Sequence, residues 1–74
     1  MTPAQCRAAR ALLDLTVAQL ARQAHQPSPI VFDFERGSRA LERSSLAAIR
    51  EALERAGVEF IDDIGVKLMR KGGK

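Results

Sequence analysis

The sequence predicts a mainly α domain of four helices that ends in a small C-terminal β-hairpin, and three observations predict it. Two Thr-x-x-Gln segments, Thr2 to Gln5 and Thr16 to Gln19, have the form of the capping boxes that open helices. Apolar residues then recur at three- and four-residue spacing as far as Ala56. After Gly57 the apolar period shortens to two, the repeat of a strand.

The first helix is expected to start after Thr2, with Pro3 in the first turn where its missing N–H costs no bond, and to run to about Leu13. Cys6, Ala9, Leu12 and Leu13 form its expected buried face, with Gln5, Arg7 and Asp14 outward. Cys6 is read as a small core residue. The second helix spans about Val17 to Ala24, with Leu15 and Leu20 at the staple positions around its cap and Leu20, Ala21 and Ala24 as the buried stripe. Ala21 is small enough to let another helix cross closely.

Pro27 and Pro29 then forbid a continuous helix. His25 has no Ser, Cys or carboxylate placed around it as a catalytic partner, and it reads as a turn residue that tolerates a left-handed backbone. Ser28 before Pro29 repeats the cap-then-proline start. A short third helix is expected from there to Arg36, burying Ile30 or Val31 together with Phe34 and stopping at Gly37. Ser44 or Ser45 is the expected cap of a fourth helix whose Leu46, Ile49, Leu53 and Ala56 keep the helical spacing and which Gly57 closes. Beyond it Val58, Phe60, Val66 and Leu68 alternate with Glu59, Ile61, Lys67 and Met69 around the turn-forming Asp62-Asp63-Ile64-Gly65. These strands pack on the helices or pair with another subunit, because an isolated two-stranded hairpin is barely stable in water.

At 74 residues the chain is one domain with a core of marginal size. Its single cysteine, Cys6, excludes an internal disulfide, and Cys6 with His25 supplies too few ligands for zinc. The adjacent carboxylates of Asp62 and Asp63 are too few for calcium. No metal or cofactor is therefore expected, and a second copy of the chain is the remaining support. The dimer interface is expected at Val58, Phe60, Ile61, Val66 and Leu68. The sequence has no run of membrane-spanning length and no signal-peptide order at its start, so a cytoplasmic protein is expected. A formal net charge of +3 is compatible with a polyanionic partner. No arrangement of residues suggests an enzyme.

Two short helices separated by a tight break, with a small residue on the first and an apolar pair on the second, have the form of a helix-turn-helix. Further segments extend the pattern: Arg10-Ala11-Leu12-Leu13, Thr16 through Ala21, Phe34-Glu35-Arg36-Gly37, and Leu46-Ala47-Ala48-Ile49-Arg50 through Ala56-Gly57-Val58-Glu59-Phe60. On these residues the chain resembles the phage-repressor (Xre/Cro) family of helix-turn-helix transcriptional regulators. Over residues 3 to 69 it is similar to a bacterial subgroup of very short members that end in a hairpin reading GVEFI, then GV(K/R)L.

The resemblance implies a helix-turn-helix domain at residues 1–57 and a β-hairpin with a basic tail at 58–74. It also implies a homodimeric repressor that sets its third helices into successive major grooves of a palindromic operator in double-stranded DNA. Arg10 and Glu35 match an ion pair that joins the first helix to the end of the third. Ser28, Pro29, Phe32, Asp33 and Arg36 fall on the face that reads base edges, and Gln19 is counted with the DNA-binding residues. Arg39 and Arg43, in the loop after the third helix, match positions that touch phosphates or reach a minor groove.

The chain also departs from the pattern. His25 stands where relatives place a glycine, Gln26 where they place an apolar residue, Pro27 for a capping serine and Val17 for a glutamine that holds a phosphate. Its reading face offers a proline, a phenylalanine and an aspartate in place of the Arg, Lys, Asn and Gln that pair most readily with bases. Phe32 suits a thymine methyl and Asp33 a cytosine amino group, yet an exposed aromatic is also a common anchor for proteins. The alternative expectation is a helix-turn-helix-derived protein–protein interaction module, an antiactivator or modulator, that has lost DNA binding.

Overall fold

The computed structural model describes residues 1–69, and the basic tail expected at 70–74 lies outside the described residues. The chain folds as four helices, α1 (Pro3–Leu13), α2 (Val17–Ala24), α3 (Ser28–Glu35) and α4 (Arg43–Arg55), followed by a hairpin of β1 (Val58–Ile61) and β2 (Gly65–Leu68). It is mainly α with a small C-terminal β-hairpin.

Both Thr-Gln capping boxes form. The Gln5 amide donates to Thr2 Oγ1 at 3.1 Å while Gln5 Oε1 accepts from the Thr2 amide at 2.9 Å, and Thr16 and Gln19 repeat this at 3.0 and 2.9 Å. Each box satisfies N–H groups that the first turn would otherwise leave unpaired. The later two helices start differently from the expectation. Pro27, not Ser28, holds the cap position of α3, with its ring-fixed φ of −64° and extended ψ of 136°, so Ser28 is already helical. Glu42 precedes α4, which begins at Arg43, and the expected caps Ser44 and Ser45 lie inside its first turn. Neither start has a side-chain capping bond. These helices rest on packing of their apolar faces, the usual source of helix stability in a protein.

The helix ends use left-handed residues. Asp14 (φ 60°) closes α1, His25 (φ 57°) closes α2, and Gly37 (φ 80°) follows α3. The next amides reach back across the turn, Leu15 to the Arg10 carbonyl, Gln26 to Ala21 and Ser38 to Asp33, at 2.9 to 3.0 Å. The third helix ends at Glu35, with Arg36 as its cap.

The core gathers Cys6 and Ala9 of α1, Leu20, Ala21 and Ala24 of α2, Val31 and Phe34 of α3, Ile49, Ala52 and Leu53 of α4, and Val58 of β1. Four of these are alanines, which lets the helix axes approach closely. Two expectations for α1 are reversed: Gln5 is buried and Leu12 is 43 % exposed. The two residues lie two turns apart on one side of the helix, and the hairpin covers only the N-terminal part of that side. At the end of α4, Ala56 is exposed where the chain turns toward β1, and Ala52 takes the core place expected of it.

β1 and β2 pair antiparallel, with Val58 opposite Leu68 and Phe60 opposite Val66 on the face toward the helices. Glu59 opposite Lys67 and Ile61 opposite Gly65 form the outer face. Gly65 belongs to β2 and not to the turn, which is made by Asp62 at φ 49° with the Ile64 amide donating to the Ile61 carbonyl at 3.1 Å. Met69 lies beyond β2, where its amide donates to the Gly57 carbonyl at 2.6 Å. The hairpin lies against α1 and α4 of its own chain. Buried Gln5 anchors it, its Nε2 donating to the carbonyls of Asp62 at 2.9 Å and Gly65 at 3.0 Å.

Candidate functional site

Helix α3 has two unlike sides. Val31, Phe34 and Glu35 are buried on one. On the other Ser28, Pro29, Phe32 and Arg36 are exposed and Asp33 is half-buried, at the spacing that brings five residues onto a single helical face. Phe32 leaves 49 % of its surface in solvent, and the Arg36 guanidinium lies 5.3 Å from its ring centroid, within cation–π range. The Asp33 carbonyl accepts from the Ser38 amide at 3.0 Å and Ser38 Oγ at 3.1 Å, so the backbone at the end of this face is fixed.

The orientation of α3 is set by Glu35. Arg10 Nε donates to Glu35 Oε2 at 2.9 Å and Arg10 Nη2 to Oε1 at 2.8 Å, while the remaining Nη1 donates to the Leu15 carbonyl at 2.9 Å. The pair is two-pronged, with side-chain exposures of 23 % for Arg10 and 5 % for Glu35. A guanidinium–carboxylate fork fixes direction as well as distance, and here it holds α1, the start of α2 and the end of α3 in one arrangement. The hydrogen bond to Glu35 raises the Arg10 pKa further, against desolvation, so this arginine stays charged.

Two more groups converge on the same residue. Cys6 Sγ donates to Glu35 Oε2 at 3.2 Å, and Arg7 Nη1 donates to the Glu35 backbone carbonyl. Burial first, then the hydrogen bond to Glu35, pushes the Cys6 thiol well above its ordinary value, so it is a protonated core donor and not a nucleophile. Arg7 is expected outward from the sequence, with no role of its own. Its three-residue spacing from Arg10 was the signal that both arginines reach toward α3.

The other expected DNA-binding residues surround α3 without contacting it as one cluster. Gln19 is exposed, its Oε1 held by the Thr16 amide. Arg39 is exposed in the loop between α3 and α4, beside Ile30, Leu41 and Glu42. Arg43 is the first residue of α4 and not part of that loop.

The residues expected at a dimer interface divide. Val58, 2 % exposed, is part of the core of its own chain and is not available to a partner. Phe60 and Val66 are partly buried against that core, and the Arg50 guanidinium covers the Phe60 ring at 4.9 Å. Ile61 and Leu68 are exposed by 40 % and 51 %; Ile64, at 84 %, adds to Ile61 at the turn end, and Met69, at 49 %, adds to Leu68 at the open end of the hairpin. Ile64 was read only as part of the turn, although an isoleucine at a turn tip is itself a signal of a surface kept apolar.

Among the described residues no three His, Cys, Asp or Glu side chains are grouped to hold a metal ion, and no helix is long and apolar enough to cross a membrane. Neither the known protein families nor the curated proteins gave a match to this chain.

Proposed function

We propose that the chain is a sequence-specific DNA-binding transcriptional regulator of the repressor kind, a binding protein and not an enzyme. It acts in the cytoplasm as a homodimer on a palindromic operator in double-stranded DNA. The observation that carries this reading is the two-sidedness of α3: its inner side is locked to α1 through Glu35, and its outer side engages nothing of its own chain's core. A rigid helix with a free face is what insertion into a major groove requires. Ser28, Pro29, Phe32, Asp33 and Arg36 then meet base edges, while Gln19, Arg39 and Arg43 position the module on phosphates. The exposed apolar side chains of the hairpin join two such modules, and two half-sites supply affinity that one small domain does not.

The test is electrophoretic mobility against the DNA flanking the chain's own gene, over salt from about 50 mM to about 200 mM, the range in which phosphate contacts weaken steeply. Arg39→Ala and Arg43→Ala are expected to weaken binding to all sequences alike and to flatten the salt slope by about one each. Phe32→Ala and Asp33→Ala are expected to change which bases are preferred. No retardation of any duplex at about 50 mM salt, where nonspecific attraction is strong, overturns the reading.

The exposed ring of Phe32 beside Asp33 favours a second reading, a protein-docking antiactivator or modulator that uses the same face. In that case Phe32→Ala abolishes capture of the partner protein, and the two arginine substitutions leave it unchanged.

A further inference from the structure

A recess of about 300 Å³ opens between α1, the first turn of α2 and the outer end of α3, lined by Arg7, Arg10, Val17, Phe32, Glu35 and Arg36. Its charges do not cancel. Both carboxylate oxygens of Glu35 are taken by Arg10, one of them also by Cys6, and every nitrogen of the Arg10 guanidinium is used. Arg7 is bonded through Nη1 alone, to a backbone carbonyl, and Arg36 makes only its stacking contact with Phe32. Two guanidinium groups without a carboxylate partner among the described residues therefore flank two apolar walls, Val17 and the exposed Phe32 ring.

We propose that this recess binds a small organic carboxylate with an aromatic-sized apolar body, and that the bound acid regulates the protein by occupying part of the outer face of α3. The carboxylate lies between Arg7 and Arg36, since a fork of N–H donors matches a carboxylate. The apolar body lies against Val17 and Phe32. The volume stands at the lower end of ligand sites, which fits a molecule of one or two rings. Binding itself is independent of the DNA reading, whereas the regulatory half rests on it, because the ligand covers Phe32 and Arg36 of the proposed base-reading face.

Calorimetric titration of the full chain with 1-naphthoate tests the site, with 1-naphthalenemethanol as its uncharged counterpart. Saturable binding of the acid below about 5 mM is expected, with the alcohol weaker by about tenfold, the ratio that one charge-assisted hydrogen bond confers. Arg36→Ala and Phe32→Ala are expected to weaken the acid by about tenfold each, and Arg55→Ala, on the exposed end of α4, to leave it unchanged. Arg7→Ala should act likewise. Should that variant lose helical circular dichroism, Arg36→Ala carries the test, because Arg36 has no side-chain hydrogen bond to lose. Equal binding of acid and alcohol, parental affinity in Arg36→Ala, or no saturable heat overturns the proposal, as does binding of an acidic apolar peptide but not of naphthoate. If naphthoate binds but no duplex does, the site stands and the DNA reading falls. DNA binding unaffected by saturating naphthoate overturns the regulatory role.

Discussion

Helix α1 is tied to the rest of the molecule by polar bonds at two places, and the two junctions are built differently. Toward α3, Arg10 meets the Glu35 carboxylate through two charge-assisted bonds, with the Cys6 thiol on the same acid. Toward the hairpin, one neutral amide, Gln5, bridges two backbone carbonyls and also closes the helix cap. The ionic junction is directional and costs desolvation, so its value lies in fixing how α3 is presented. The amide junction gives two hairpin carbonyls a donor from α1, so its value lies in holding the hairpin down.

The ionic junction is where substitution has its largest expected effect. Arg10→Ala leaves a buried carboxylate with only a thiol as partner and is expected to cost about 3 kcal/mol, read from denaturant melts. Replacing both residues by apolar side chains, Arg10→Met with Glu35→Leu, is expected to recover most of that loss, because the desolvation cost of the pair goes with it. Such a double variant should be stable and yet present α3 less firmly, losing the proposed DNA binding. If Arg10→Ala, Glu35→Ala and their combination all lie within about 0.5 kcal/mol of the parent, as ordinary surface changes do, the junction contributes no buried charge.

At the amide junction Gln5→Ala is expected to cost about 2 kcal/mol, since it removes two bonds to hairpin carbonyls and one from the Thr2 amide. Hydrogen exchange distinguishes the junctions: the hairpin amides should lose protection in this variant before those of α3 do. Gln5→Glu sharpens the comparison. A carboxylate cannot donate to the Asp62 and Gly65 carbonyls, so its charged form is disfavoured in the folded state and its folded pKa is raised. Its destabilisation is therefore present above the carboxyl range and relieved as acid protonates it. A pH-independent loss would show that the two carbonyl bonds do not matter.

The turn between α2 and α3 gives a smaller effect of opposite sign. His25 adopts φ 57° as the cap that follows α2, a conformation costly for any side chain, and its imidazole makes no bond among the described residues. His25→Gly is expected to stabilise by about 1 kcal/mol, less the chain entropy that glycine adds to the unfolded state. Unchanged or lower stability would mean that the side chain contributes packing that outweighs the backbone strain.

The same comparison explains what was legible in the sequence. Helix starts set by side-chain caps, at Thr2 and Thr16, were readable because the residue types and their spacing carry the bond. Those of α3 and α4 were displaced by a residue or more, because Pro27 and Glu42 occupy the cap positions without a side-chain bond. Arg10 and Glu35 stood out by resemblance, whereas Gln5 did not, since its capping role was a sufficient explanation and nothing local shows that residues nearly sixty positions away lie over it. Leu12 was misplaced for the same reason, as periodicity names a side of a helix but not how far a neighbour covers it. The outer face of α3 was legible as a set of five residues. The recess beside it was not, because Arg7 and Val17 come from other helices.

The smallest expected effect on folding is also the one that decides how far the hairpin serves its own chain. Ile64 is 84 % exposed at the turn tip and adds nothing to the core, so Ile64→Lys is expected to change stability measured in dilute solution by less than about 0.5 kcal/mol. Its neighbour Ile61 is 40 % exposed at the same turn end, while Leu68 and Met69 are exposed at the other end of the strands, and the pair Ile61 and Ile64 makes an apolar surface of the kind that marks a contact site. If that surface joins two copies, a lysine at its tip should abolish association, because a charge would be buried there without a partner. Sedimentation at about 50 μM should then show the parent as a dimer and Ile64→Lys as a monomer, with the parent's melting rising with concentration and the variant's not. A parent chain that sediments as a monomer removes the dimer. A variant that still dimerises moves the interface to another face and leaves the hairpin as a lid on α1 and α4 alone.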